Sequence, residues 1–252
     1  MLNAGVNYLG LIFIVAGAAL LVAFWALVRQ GFKPALRPLS GYDSFEEQIG
    51  QALESGGRVH VSLGPNSITG EETGTALAAL ALLDLAANTA AISDLPPIAT
   101  TGDATVLPVA GDTLRRAYKQ QGMPGRYHTT TVRLVALDPA GLAGGTTSLI
   151  HDEKVRANLL IGSYGPEVAL VAEAGERAHT IQTVGSDRLE AQAVGYTMAD
   201  HVLIGEEIYA ARAYLSAEPS ATAAVAAEDV LRWVVVGLIG IGVLLQTFGL
   251  IR

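Results

Sequence analysis

Two uninterrupted apolar runs frame a chain whose middle alternates short β-rich stretches with longer helix-patterned ones. The first run, Val6 to Val28, reads VNYLGLIFIVAGAALLVAFWALV and carries no charge. At about 1.5 Å per residue it is long enough to cross a hydrocarbon core of about 30 Å. Tyr8 and Trp25 stand near its two ends, where aromatic rings favour the interface. A cleaved signal peptide is the alternative, but no Lys or Arg precedes the run and it is longer than a signal's apolar core. The second run, Trp233 to Ile251, is interrupted only by the uncharged Gln246 and Thr247. A buried core helix is the alternative there, and length and terminal position favour a span. The expected organisation is a transmembrane helix in residues 1–30, a linker in 31–41, an α/β domain in 42–220 and a second transmembrane helix in 230–252. Small residues in both runs (Ala16, Gly17 and Ala18; Gly237, Gly240 and Gly242) would let the two helices approach and pair.

Between these runs the pattern predicts strands at Arg58–Leu63, Pro97–Thr101, Thr129–Leu137, Asn158–Ile161, His179–Val184 and His201–Ile204. Each is followed by a helical stretch: Glu71–Ser93, Thr105–Gln121, Pro139–Asp152, Glu167–Arg177, Arg188–Met198 and Glu206–Leu215. Repeated βα alternation predicts a doubly wound, mainly parallel, Rossmann-like sheet with helices on both faces. Turn chemistry agrees. Thr69 with Glu72, and Asp187 with Glu190, have capping-box spacing. Asp138–Pro139 and Gly165–Pro166 place proline at a helix start. The stretch Thr75–Ala91, TALAALALLDLAANTAA, is apolar nearly all round, so it is buried or at an interface. Asp84 at its middle argues against a third span, which leaves a buried central helix or a self-association face.

Charge adds topology. Arg29, Lys33 and Arg37 follow the first run, and Arg232 opens the second, with Arg252 at its far end. This bias places the central domain in the cytoplasm and both termini outside. The net charge is −8 and only Lys33, Lys119 and Lys154 are lysine. With no basic run, the phosphate-neutralising surface of a nucleic-acid binder is missing. The absence of cysteine removes disulfides, thiolate metal sites and cysteine nucleophiles.

In a doubly wound sheet, ligands bind beyond the carboxyl ends of the strands. The candidates there are Asp103, Gly162, Ser163, Tyr164, Asp187, Glu206 and Glu207, with Asn66, Ser67 and Asp138 beside them. Glycines at strand ends would admit an anion to helix N-termini, whereas the carboxylates would favour a divalent cation such as Mg²⁺. The same residue types are ordinary helix caps. No P-loop, dinucleotide fingerprint or nucleophile elbow is present: Gly64-Pro-Asn-Ser-Ile-Thr-Gly70 is followed by Glu71 and Glu72 where a P-loop needs Lys and Ser/Thr. The five histidines, His60, His128, His151, His179 and His201, are scattered and read as satisfied strand or surface residues.

The segment Gly205-Glu-Glu-Ile-Tyr-Ala-Ala-Arg-Ala-Tyr-Leu215, preceded by Ala199-Asp-His-Val-Leu-Ile204, resembles a hallmark of an uncharacterised prokaryotic membrane-protein family, a domain of unknown function. Gly162-Ser-Tyr-Gly-Pro-Glu167 does so as well. The resemblance covers most of the central domain, implies a membrane-tethered α/β unit, and carries over no catalytic residue. The leading expectation is therefore a membrane-anchored scaffold that associates with itself or with other membrane proteins. The rival is a domain binding a nucleotide or phosphorylated metabolite with a divalent cation. No cofactor is assigned.

Overall fold

The computed structural model describes residues 8–248. The sequence readings at Val6, Asn7 and residues 249–252, Arg252 included, lie outside the described residues. The chain divides into two compact units: Pro38–Ala211, and a second formed by the chain up to Arg37 and from Arg212 onward.

The second unit contains helices α1 (Tyr8–Arg29) and α10 (Pro219–Thr247), which pack side by side. Gly17 faces the Leu231 side chain, as its smallness allows. Gly237, Gly240 and Gly242 meet nothing within 4 Å, so the expected small-residue contact from α10 is not formed there. Helix α10 also starts well before Trp233, at Pro219, because an alanine-rich stretch with strong helix propensity precedes the apolar run.

The larger unit is a six-stranded parallel sheet in the order β3-β2-β1-β4-β5-β6. Its strands are β1 (Arg58–Ser62), β2 (Ile98–Thr101), β3 (Val132–Leu134), β4 (Val155–Ile161), β5 (Ile181–Ser186) and β6 (His201–Ile204). Its helices are α2 (Ser40–Asp43), α3 (Phe45–Glu54), α4 (Thr73–Ala90), α5 (Val106–Gln120), α6 (Pro139–Asp152), α7 (Val168–Arg177) and α8 (Leu189–Met198); the short α9 (Ala211–Leu215) belongs to the other unit from Arg212 onward. The six-stranded parallel arrangement agrees with the βα alternation of the sequence. The order reverses between β1 and β4, which makes that pair the topological switch point.

Several boundaries differ from expectation, each for an identifiable reason. The third strand shrinks from Thr129–Leu137 to Val132–Leu134, and Thr129–Thr131 form a 3-10 turn. It is an edge strand pairing only with the four-residue β2, so few of its residues find ladder partners. Residues read as the end of a linker and an unassigned stretch form α2 and α3; α3 buries Phe45, Gln48, Ile49 and Ala52. Glu206–Leu215 splits into a 3-10 segment, Gly205–Ala210, and α9. Neither expected capping box forms. Helix α4 begins after Glu72 without a side-chain cap, and α8 begins after Arg188, also uncapped by a side chain. Asp187 is engaged elsewhere. Asp138 does cap α6, accepting from Gly141 N at 2.7 Å, with Pro139 following. Pro166 precedes α7, which begins at Val168, rather than opening it.

Helix α4 is a buried helix of this unit, with ten residues from Thr75 to Ala90 inside it. It packs against α3, α5 and β1. On the opposite face, α6, α7 and α8 cover Ile98, Leu160 and Val184. The sheet also carries a buried polar chain. Gln182 Nε2 donates to Ala172 O (2.9 Å), and Asn158 Nδ2 donates to Gln182 Oε1 (3.1 Å). Asn158 Oδ1 lies 2.7 Å from His60 Nδ1. Because Asn158 Oδ1 can only accept, His60 carries a proton on Nδ1, and its Nε2 lies 2.9 Å from the Thr100 hydroxyl. Thr100 Oγ1 donates to Ser62 Oγ (3.0 Å), which also accepts from the Tyr164 hydroxyl (2.6 Å). The four central strands, β2, β1, β4 and β5, are thereby pinned in register, because one slipped residue would turn a strand's polar member to the other face.

Candidate functional site

The carboxyl edge of the sheet is built from loops zipped together by continued ladder hydrogen bonds. Leu63 N donates to Thr100 O (2.8 Å), Gly102 N to Gly64 O (2.9 Å) and Gly162 N to Gly185 O (3.0 Å). At the switch point the turns after β1 and β4 touch backbone to backbone. Gly64 takes a positive φ of 68°. A Cβ on Gly162 would lie 2.9 Å from the Gly64 Cα and from Asn66 Nδ2. Asn66 is wholly buried and staples the two turns: its Nδ2 donates to Leu63 O, and its Oδ1 accepts from Ser163 N, each at 2.8 Å. The two turns at the switch point are thus held against each other.

The candidates separate into distinct groups on this edge. Ser163 and Asp187 come together: Ser163 Oγ and Thr75 Oγ1 each donate to Asp187 Oδ2 at 2.8 Å. Tyr209 extends the cluster, donating to Thr75 Oγ1 at 3.0 Å. Asp103 belongs to its own turn, accepting on Oδ1 from Thr105 N (2.7 Å) and from the Thr105 hydroxyl. Tyr164 is buried beneath the edge on Ser62, and that burial raises its phenol above the usual tyrosine range. Gly162 is closed against Gly64. Glu207 accepts from Ile204 N at 2.8 Å and so secures the turn that follows β6. Glu206 is exposed at the start of that turn.

Thr75, Tyr209 and Glu72 are not among the candidates that the sequence marks. Thr75 is hidden in an alanine-rich helix, and no local motif pairs it with a residue as distant along the chain as Asp187. The Glu72 carboxyl is pushed up by burial first, then by the nearby Asp187, Asp103 and Glu71, with Arg188 opposing. Its neighbours mark an acidic edge. Among the described residues, however, no three His, Cys, Asp or Glu side chains are grouped so as to hold a metal ion. What the arrangement does chemically is to hold α4, β4, β5 and the turn after β6 to one carboxylate. Asp187→Ala leaves the Ser163 and Thr75 hydroxyls without their shared acceptor. It should cost about 1–3 kcal/mol in the urea denaturation of the full chain, with Asp187→Asn recovering part of the loss. A cost under about 0.5 kcal/mol would show that the cluster contributes nothing to the fold.

Comparison with known proteins gives one match. Residues 4–252 fit a family model described as Domain of unknown function (DUF6754), so the similarity takes in both terminal helices as well as the sheet. No curated protein matches the chain. No solved structure matches it either.

Proposed function

We propose that this chain, which belongs to the DUF6754 family, is a membrane-anchored assembly module. In this reading α1 and α10 cross the bilayer, and the α/β unit between them is a cytoplasmic scaffold that associates with itself or with a membrane complex. The observation that carries the reading is where apolar surface is left uncovered. Among the described residues, three helices are long and apolar enough to span: one over Gly10–Arg29, α4, and α10. Helix α4 is 56% buried over its most apolar stretch, inside the α/β unit, whereas the equivalent stretches of α1 and α10 have no residue buried. Side chains such as Ile14, Val22, Leu238 and Ile239 stand exposed along these two helices. In water that surface would be costly, at about 25 cal/mol per Å². In hydrocarbon it is at home. This asymmetry supports the reading of two spans with the α/β unit between them.

The scaffold reading draws support from the carboxyl edge, where Asn66, Gly64 and Gly162 hold the two switch-point turns against each other and Asp187 is committed to hydroxyls of the fold. A cysteine at Ser55, an exposed position on a chain without native cysteine, tests the topology. The expected result is no reaction with an impermeant maleimide on intact cells and full reaction after lysis. Labelling of intact cells would place the domain on the other side. For assembly, the detergent-extracted chain should run above the mass of one copy, or carry other membrane proteins with it. A bare monomer in every detergent would overturn the scaffold reading.

A further inference from the structure

At the amino ends of the strands, opposite the edge described above, a cleft of about 590 Å³ lies where β1, β4 and β5 begin. Among the described residues lining it are His151, Lys154, Arg156, Arg177 and His179, and no carboxylate. An adjoining groove of about 500 Å³ between α6 and α7 shares His151 and Arg177 with it; there Glu173 pairs with Arg177 at 2.5 Å. Lys154, Arg156 and Arg177 thus bring three positive charges to one cleft on a chain of net charge −8.

Backbone geometry brings these groups to the cleft in two ways. The first is a bulge. Arg58 pairs with Val155 and Val59 with Ala157, which leaves Arg156 unmatched in the β1–β4 ladder. Bulges re-aim side chains. Arg156 crosses over Gly57, where a Cβ would lie 2.0 Å from its Cγ, and its guanidinium donates to Ala178 O.

The second is the way the helices end. Helices α3, α5, α6 and α7 each close on a residue of positive φ: Gly56, Gly122, Lys154 and His179. In α3, Gly56 N bonds Leu53 O and Gly57 N bonds Ala52 O, both at 3.0 Å. In α7 the same pair of bonds recurs, His179 N to Glu176 O (3.0 Å) and Thr180 N to Gly175 O (2.9 Å). This closing turn favours glycine, because a Cβ is strained at φ near about +55°. The chain uses glycine at two of the four positions. At the other two it accepts the strain and places Lys154 (φ 54°) and His179 (φ 53°), and both line the same cleft. The third non-glycine residue of positive φ among those described, Ala217, lies outside the α/β unit.

We propose that this cleft binds a phosphoryl-bearing anion. Its volume suits a small molecule rather than a single ion. A mixture of a lysine point charge and guanidinium forks is the chemistry that recognises phosphoryl oxygens. The phosphoryl group would come either from a soluble phosphorylated metabolite or from the headgroup of an anionic phospholipid.

The full chain in an uncharged detergent provides the test, with inorganic pyrophosphate as the probe. Millimolar pyrophosphate should raise the melting temperature saturably, beyond sodium chloride at equal ionic strength, since a ligand of the folded state stabilises by mass action. Asparagine tolerates positive φ. The double variant Lys154→Asn/His179→Asn should therefore keep or raise the melting temperature without ligand, while the half-saturating pyrophosphate concentration rises at least about tenfold. Competition of the pyrophosphate effect by micellar phosphatidylglycerol, but not by phosphatidylcholine, assigns the site to a lipid headgroup. A pyrophosphate effect indifferent to both lipids assigns it to a soluble metabolite. The proposal is overturned by the absence of any saturable rise beyond chloride, by an equal response to citrate, or by an unchanged half-saturation in the double variant.

Discussion

Lowering the pH from 7 to 4 should remove about 3 kcal/mol from the stability of the α/β unit through one side chain, His60. It is wholly buried, and burial, the largest influence, lowers its pKa from 6.5 to about 4 against the opposing hydrogen bond from Asn158. The folded chain therefore holds a neutral imidazole at pH values where the unfolded chain has already bound a proton. Stability from this group is complete above about pH 6.5 and drains away as the pH falls toward about 4. The difference corresponds to about 3 kcal/mol, at about 1.36 kcal/mol for each tenfold change in proton affinity. Urea titrations of the full chain and of His60→Gln at about pH 7 and pH 4.5 isolate the effect, because every other titrating group is common to both. The variant should lose about 2–3 kcal/mol less than the wild-type chain over that interval. Parallel pH profiles would exclude His60 as the source.

A single methyl group at the switch point should be nearly as damaging. In Gly162→Ala the new Cβ would lie 2.9 Å from the Gly64 Cα, which is backbone and cannot rotate away, and 2.9 Å from Asn66 Nδ2. Relief requires the β1 and β4 turns to part, which lengthens the bonds from Asn66 to Leu63 O and Ser163 N. Overpacking of this kind costs about 1–3 kcal/mol, and the strained pair of buried hydrogen bonds puts the expected value near about 3 kcal/mol. Gly144→Ala provides the contrast. Gly144 sits inside α6, and a Cβ there would meet nothing within 4 Å. Alanine at that position should stabilise by about 0.5–1 kcal/mol through helix propensity. Chemical denaturation of both variants reads the difference directly. Equal stability of the two would mean that the switch-point turns are free to separate.

The alternation of β-rich and helical runs is enough to predict six parallel strands, since each hydrophobic run is short, bounded by turn residues and followed by a helix-length segment. Asp138–Pro139 is legible as a cap because its partner, Gly141, is three residues away. Asp187 shows where local reading stops. Its spacing to Glu190 suits a capping box, yet its carboxylate is taken by Thr75 and Ser163, which only the sheet order brings beside it. Asn66 is similar: a loop residue in sequence, but the staple of two turns in space. The helix at Phe45–Glu54 precedes the first strand and so stands outside the βα rhythm, although Phe45, Ile49, Ala52 and Leu53 have helical spacing; burial of Phe45 and Ile49 secures it.

The sequence by itself determined what depends on near neighbours and on solvent: two charge-free terminal runs, the βα rhythm, the exclusion of cysteine chemistry and the acidic balance. These are properties of hydropathy and local propensity, which act within a turn or a strand. Only the tertiary structure decided which strands adjoin, that α4 is covered by its own domain, that the switch-point turns are held together, and that Lys154, Arg156 and His179 meet at the opposite end. Each of those rests on contacts between residues distant along the chain. Their energies arise from burial and hydrogen bonding across the sheet, and no local pattern encodes them.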